Sequence, residues 1–151
     1  MIGDLNFMVN EIFENWLGKW ALTRKIDPHG SFAGQAVFSR VDDNTILYQE
    51  TGELTLVEGH VLDDVQKRYI YKLEENAIVV YFDDGPDKGK LFHRLKFDAN
   101  GMAEAHHNCP PDKYYTKMRI TSGCEFEITH DVSGPRKDYK IFSKYKKRGA
   151  N

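Results

Sequence analysis

The side chains with the clearest chemical potential sit at strand spacing. Trp20, Leu22, Arg24 and Ile26 alternate along one stretch, and Ile46, Tyr48, Glu50 and Leu54 along another. Successive strand side chains point to opposite faces, so an inward Trp20 carries Arg24 inward with it. An inward Ile46 does the same for Tyr48 and Glu50. A lone buried charge is costly, so an interior Arg and an interior Glu need each other. Two chemistries fit that pair. One is a structural ion pair, or a pair at a barrel mouth. The other is an Arg24 that grips an anionic ligand group bidentately, with Glu50 as its partner.

His93 alternates with Leu91, Leu95 and Phe97 and is therefore expected to face inward. A neutral imidazole there is a hydrogen-bonded core residue, a polar ligand contact or a general base. His107 and Cys109 lie two apart, which places both on one strand face. The adjacent His106 leaves open which of the two histidines points in. His93, His107 and Cys109 are zinc- or copper-ligand types, but no Cys-x-x-Cys or His-Glu-x-x-His pattern accompanies them, and no metal ligand is assigned. A Cys nucleophile with a His base is chemically conceivable but has no supporting local sequence. Tyr114 and Lys137 are candidates to orient a ligand or to stabilise developing negative charge. Nucleotide motifs are missing: there is no Walker sequence and no Gly-x-Gly-x-x-Gly. The acidic loop Asp83, Asp84 and Asp87 lacks EF-hand spacing and reads as a solvated hairpin.

The elements that hold these residues are mostly strands. The first is an exception. Leu5, Met8, Val9, Ile12, Phe13, Trp16 and Leu17 recur every three or four residues, which predicts an amphipathic helix over 4–17. Asp4 is placed to cap it and Gly18 to close it. From Gly18 onward the period is 2. Phe32, Ala36 and Phe38 share a face after the Pro28-His29-Gly30 turn. Further strands are predicted near 66–73, 77–82, 90–97, 102–108, 114–121, 124–130 and 137–146. Between them fall turn signals such as Asn100-Gly101, Ser122-Gly123 and Ser133-Gly134-Pro135. Nine or ten short strands with tight turns describe an antiparallel meander. The expected fold is all-β, one domain over 1–151, with the helix at one end of a barrel over 18–148. A two-sheet sandwich is the alternative. Tyr48, Tyr69, Tyr71, Tyr81, Phe92, Tyr114, Tyr139 and Tyr145 fall on these strands, where an apolar ring with a polar tip suits a cavity wall.

Composition narrows the class. The chain has 151 residues, with 40% hydrophobic, 29% charged and 13% aromatic side chains. That is a globular composition with enough apolar surface for one core. No apolar run is long enough to cross a bilayer, and no basic start precedes an apolar stretch, so a cytoplasmic location is expected, with neither membrane nor nucleic acid as partner. The two cysteines, Cys109 and Cys124, read as free thiols that fill core space. Charge is uneven: residues 136–151 hold seven basic side chains against one acid. Such a tail binds phosphates or, more simply, forms a lysine-protected strand edge.

Gly18-Lys19-Trp20, at the start of the first strand, resembles the Gly-x-Trp opening of lipocalin-like, or calycin, barrels. In those barrels the Trp packs over the barrel floor against a basic residue from the last strand, here Arg136, Lys137 or Arg148. A longer ordered series is similar to domain-of-unknown-function family 6314, from about residue 18 to 148. It comprises Gly18-Lys19-Trp20-Ala21-Leu22-Thr23-Arg24-Lys25-Ile26, Gly30-Ser31-Phe32-Ala33-Gly34-Gln35-Ala36 and Leu47-Tyr48-Gln49-Glu50-Thr51-Gly52. It continues with Tyr81-Phe82-Asp83-Asp84-Gly85, Phe92-His93, His107-Asn108-Cys109-Pro110-Pro111-Asp112-Lys113-Tyr114 and Val132-Ser133-Gly134-Pro135-Arg136-Lys137-Asp138-Tyr139. The family's pattern often carries a Trp just before Val-x-Gly-Pro, and this chain has His130-Asp131 there. The resemblance implies a compact calycin-like barrel and no established activity.

The functional expectation is a barrel whose interior binds a small, partly apolar, anionic molecule through Arg24, Tyr48, Glu50, His93, His107, Tyr114 and Lys137. One alternative is an isomerase, cyclase or hydrolase with His93 or Glu50 as base. Another is a carrier of haem or metal through His93 or His107. No cofactor and no oligomeric state is assigned.

Overall fold

A computed structural model describes residues 2–149, with side chains from residue 8 onward. Helix α1 spans Ile2–Asn15. The expected cap Asp4 and the apolar Leu5 lie outside the described side chains. α1 stops two residues before the predicted end: the Trp16 and Leu17 amides bond the Phe13 and Glu14 carbonyls at 3.3 Å, a tightened last turn. Gly18 then takes φ +121°, a backbone region that L side chains rarely adopt, and begins the first strand.

Ten strands follow: β1 Gly18–Asp27, β2 Gly30–Asp42, β3 Thr45–Leu56, β4 Val61–Glu74 and β5 Ala77–Phe82, then β6 Leu91–Leu95, β7 Met102–Cys109, β8 Asp112–Ser122, β9 Glu125–Ser133 and β10 Asp138–Lys147. They form one antiparallel sheet in the order β6-β5-β4-β3-β2-β1-β10-β9-β8-β7. β1 pairs with both β2 and β10, so the first and last strands are neighbours in the middle of the sheet. The edges β6 and β7 come together without a hydrogen-bonded ladder. The result is a nearly closed barrel rather than a sandwich.

The curl needs close backbone approach between β2 and β3. Gly34 pairs with Gly52, and a Cβ on Gly34 would sit 2.1 Å from the Thr51 carbonyl oxygen. A Cβ on Gly52 would also meet the tip of the Phe32 ring at 2.6 Å. Strand glycines at such corners let the sheet bend.

α1 plugs one end. Val9 and Phe13 are buried against the strands, and Trp16 lies among Phe38, Tyr71, Phe97 and Phe126 with ring centroids 5.3–6.3 Å apart. Trp20 joins this floor, stacks edge-on to Phe126 at 4.8 Å and donates its indole N–H to the Trp16 carbonyl at 2.8 Å. Its basic partner from the last strand is Lys147, with Nζ 5.4 Å from the ring. Lys147 faces Trp20 in the β1–β10 ladder, whereas Lys137 pairs with Asp112 at the far end of β10 and Arg148 follows the paired residues.

Several local expectations change for physical reasons. Cys109 and Cys124 are both exposed, not core-filling. The basic segment is no sheet edge: β10 lies between β1 and β9. Lys140 reaches Asp131, and Lys144 reaches Glu125 and Glu127, on the neighbouring strand. Leu91 is 49% exposed although it alternates with His93. The ladder pairs Val80 with His93 but Tyr81 with Leu91, so Phe92 is an inserted residue. That bulge turns both Phe92 and His93 inward and reverses the phase before them. Tyr81 falls on the face opposite Val80, under Lys72 at 5.6 Å, and does not line the interior. His107 is the half-buried member of its pair and His106 the exposed one, packed on Tyr115 at 4.7 Å.

Candidate functional site

Above the aromatic floor, the inward positions of four strands become polar. Arg24 on β1 and Glu50 on β3 form a bidentate pair. Nη1 donates to Oε2 at 2.6 Å and Nη2 to Oε1 at 3.0 Å. Arg24 Nε donates to Ser143 Oγ at 2.7 Å, on β10. The guanidinium also stacks over Phe32 at 5.2 Å, and Phe32 itself rests on the bare Cα of Gly52. The glycine pair thus seats the ring that seats the arginine.

Two tyrosines close a hydrogen-bonded ring around the pair. Tyr48 donates to Glu50 Oε1 at 2.5 Å, because an ionised carboxylate only accepts. Tyr145 O–H therefore donates to the Tyr48 oxygen across 2.7 Å, and the Tyr145 oxygen faces Arg24 Nη2 at 3.4 Å. Every bond in such a cycle polarises the next. Burial raises the phenols of Tyr48, Tyr69 and Tyr71 well above their ordinary value and Tyr145 to about 12, so all four stay neutral. Burial opposes the Arg24 charge, but the Glu50 carboxylate hydrogen-bonded to it holds its pKa above the usual value.

Two cavities meet at this layer. The outer one, about 270 Å³, opens at the end away from α1. Ile26, Phe32, Leu54, Val65 and Ile141 supply apolar wall, and Arg24 and Glu50 the floor. Lys67 stands at its border, 3.2 Å from Asp84 and above the Tyr69 and Phe82 rings. The inner chamber, about 30 Å³, lies beneath, bounded by Tyr48, Tyr71, Phe92, His93 and Tyr145 among others. Arg24, Glu50, Tyr69 and His130 border both spaces.

His93 is 6% exposed, and its Nδ1 has no hydrogen-bond partner among the described residues. Burial first, then His130 and His107, lower its pKa to about 3. His130, whose ring lies 6.3 Å away, is lowered to about 4 by burial and then by Arg24. Its Nδ1 bonds Thr116 Oγ1 at 2.9 Å. Both imidazoles are neutral at neutral pH.

The structure therefore gathers Arg24, Tyr48, Glu50 and His93 around one layer. His107 stands one step away, 6.4 Å from Phe92 and 5.9 Å from Tyr114. Tyr114 and Lys137 border neither cavity. Lys137 Nζ donates to the Tyr114 hydroxyl at 3.0 Å and lies 3.3 Å from Asp112, contacts that raise its pKa. Sequence reasoning missed Ser143, Lys67 and His130. His130 entered it only as a departure from a family pattern, yet it borders both cavities. Among the described residues, no three His, Cys, Asp or Glu side chains are grouped to hold a metal ion.

A nearly closed antiparallel barrel with an N-terminal plug and a Trp–Lys floor defines a calycin-like protein. The chain belongs to DUF6314, a family of unknown function, whose pattern matches residues 16–147. No curated protein matches it. Among solved structures it is similar to the S-type phycobiliprotein lyase CPES from Guillardia theta, with TM-score 0.64 and 10% identity over 95% of this chain and 94% of that one. It is also similar to EF1p2_mFAP2b bound to DFHBI, with TM-score 0.52 and 10% identity over 93% and 99% of the two chains. At this identity the likeness establishes the fold. No helix among the described residues is long and apolar enough to cross a membrane.

Proposed function

We propose that the barrel binds one small, partly apolar molecule carrying an anionic group in its outer cavity. The observation that supports this is an open cavity of about 270 Å³ with apolar walls over a charged floor. Ligand sites commonly combine such walls with a few placed polar groups, at about 300–1,000 Å³ for drug-sized occupants, so this occupant is small. The solved barrel of similar fold bound to DFHBI is a precedent for a small molecule in such a scaffold.

The role of Arg24 differs from simple capture of an anion. Its bidentate edge is spent on Glu50 and its Nε on Ser143, which leaves one Nη1 proton free. The anionic group would meet the Lys67 ammonium at the cavity border rather than a free guanidinium fork.

Native mass spectrometry of protein purified from its own cells tests this reading. A retained small-molecule mass is expected, and Val65→Trp, which fills the cavity from its apolar wall and leaves the Arg24–Glu50 pair unsubstituted, should abolish it. An adduct indifferent to Val65→Trp would overturn the reading. So would a bare mass together with no thermal shift from a panel of small aromatic and aliphatic carboxylates.

A further inference from the structure

The inner chamber carries an observation that an outer-cavity ligand alone leaves unexplained. A buried imidazole nitrogen without a partner costs free energy that native proteins rarely leave uncompensated. The chamber of about 30 Å³ beside His93 has room for at least one water-sized polar group. Its charges are already balanced, since Glu50 answers Arg24.

We propose that the inner chamber is a second subsite that takes one uncharged hydroxyl, at the end of the ligand remote from its anionic group, with His93 Nδ1 as its hydrogen-bond partner. This rests on the outer-cavity reading above and adds the second polar group of the ligand. A hydroxyl suits the site for three reasons. It can donate to Nδ1 or accept from it, so either neutral tautomer of His93 serves. A carboxylate there would face Glu50 and two neutral imidazoles. An apolar group would leave Nδ1 unpaired. Arg24, Glu50, Tyr69 and His130 border both spaces, so the outer cavity and the chamber lie on two sides of one layer of side chains. In the empty protein a water is expected in the same place.

Matched probes test it. 3-Phenylpropanoate and 3-(4-hydroxyphenyl)propanoate differ only by a hydroxyl at the end far from the carboxylate. Calorimetric titration of the full chain should show the hydroxylated probe binding about fivefold or more tighter, as one net hydrogen bond gives. His93→Leu should erase that advantage, so that the two probes bind alike. His93→Asn, which keeps a polar atom near the Nδ1 position, should restore part of it. A crystal of the unliganded wild type supplies a readout that needs no variant to fold: an ordered oxygen about 2.7–3.2 Å from Nδ1 is expected. Equal affinity for both probes, with a chamber empty of density, would overturn the subsite and leave the outer cavity standing. Failure of both probes to bind, together with indifference to Val65→Trp in the mass spectrum, would overturn the outer-cavity reading and the subsite with it.

Discussion

The two ends of the barrel use the same strand alternation with opposite results. At the α1 end the inward positions are Trp20, Phe38, Tyr71 and Phe126, and the helix adds Phe13 and Trp16, all buried, with a groove of about 300 Å³ beside them between α1 and the β8–β9 turn. At the other end the inward positions are Ile26, Phe32, Leu54, Val65 and Ile141, no helix or strand among the described residues caps them, and a cavity opens. The polar ring of Arg24, Glu50, Tyr48 and Tyr145 marks the boundary. On the proposed reading stability is concentrated at the floor and recognition at the mouth, and substitutions at matched depths should separate the two.

The largest contrast is expected between Trp20→Ala and Leu54→Ala. Trp20 is fully buried and also holds the Trp16 carbonyl, so its removal should cost about 4 kcal/mol in urea unfolding. Leu54 lines a half-open wall and should cost under about 2 kcal/mol. Equal losses would mean that the mouth is as tightly packed as the floor.

The boundary layer comes next. Glu50→Leu leaves the Arg24 charge without its partner and should destabilise by about 3 kcal/mol. Adding Arg24→Met to it should recover most of that loss, because the double variant buries no unpaired charge. A double variant no more stable than Glu50→Leu would show that Arg24 acts through Ser143 and Phe32 rather than through the pair.

That layer was half legible in the sequence. Alternation placed Arg24, Tyr48 and Glu50 on inward faces because a strand's period of 2 is a local property. Ser143 and Tyr145 came from a strand more than a hundred residues away, and their meeting with Arg24 is set by the β1–β10 register, which no local pattern encodes. The same register chose Lys147 over Arg136, Lys137 or Arg148 as the cation above Trp20. At β6 the local rule itself broke: the inserted Phe92 shifted the phase, so Leu91 was misplaced while His93 was not. The strand count and meander survived because turns, unlike contacts, are written in adjacent residues.

Acid should weaken the His-bearing layer before the floor. His93 and His130 are held neutral, with pKa values of about 3 and 4 against an unfolded value near 6.5. Below pH 6.5 the unfolded chain takes up protons that the folded one refuses, so stability is full above that pH and falls as pH drops toward 4. At pH 5 the His93 contribution alone comes to about 2 kcal/mol lost. Thermal melts between pH 7 and 5 should show the slope, and His93→Leu should flatten it. An unchanged slope in that variant would place the acid sensitivity elsewhere.

The smallest effect belongs to the floor's one cation and sharpens what closes that end. Lys147 Nζ lies over the Trp20 ring at 5.4 Å and donates to the carbonyl of Asn15, the last residue of α1, at 2.6 Å. α1 has no basic residue in its own last turn, so β10 supplies the charge that its C-terminal dipole favours. Exposed cation–π and helix-end contacts are each worth about 0.5–1 kcal/mol. Lys147→Met should therefore lower the melting temperature by about 2–8 °C. Lys147→Arg should hold it, since a guanidinium also stacks on indole and reaches a carbonyl. Because the helix-end part is screened and the aromatic cover is less so, half-molar salt should shrink the Lys147→Met difference without removing it. A difference that vanishes in salt would assign Lys147 to the helix alone and leave Trp20 sealed by its aromatic neighbours.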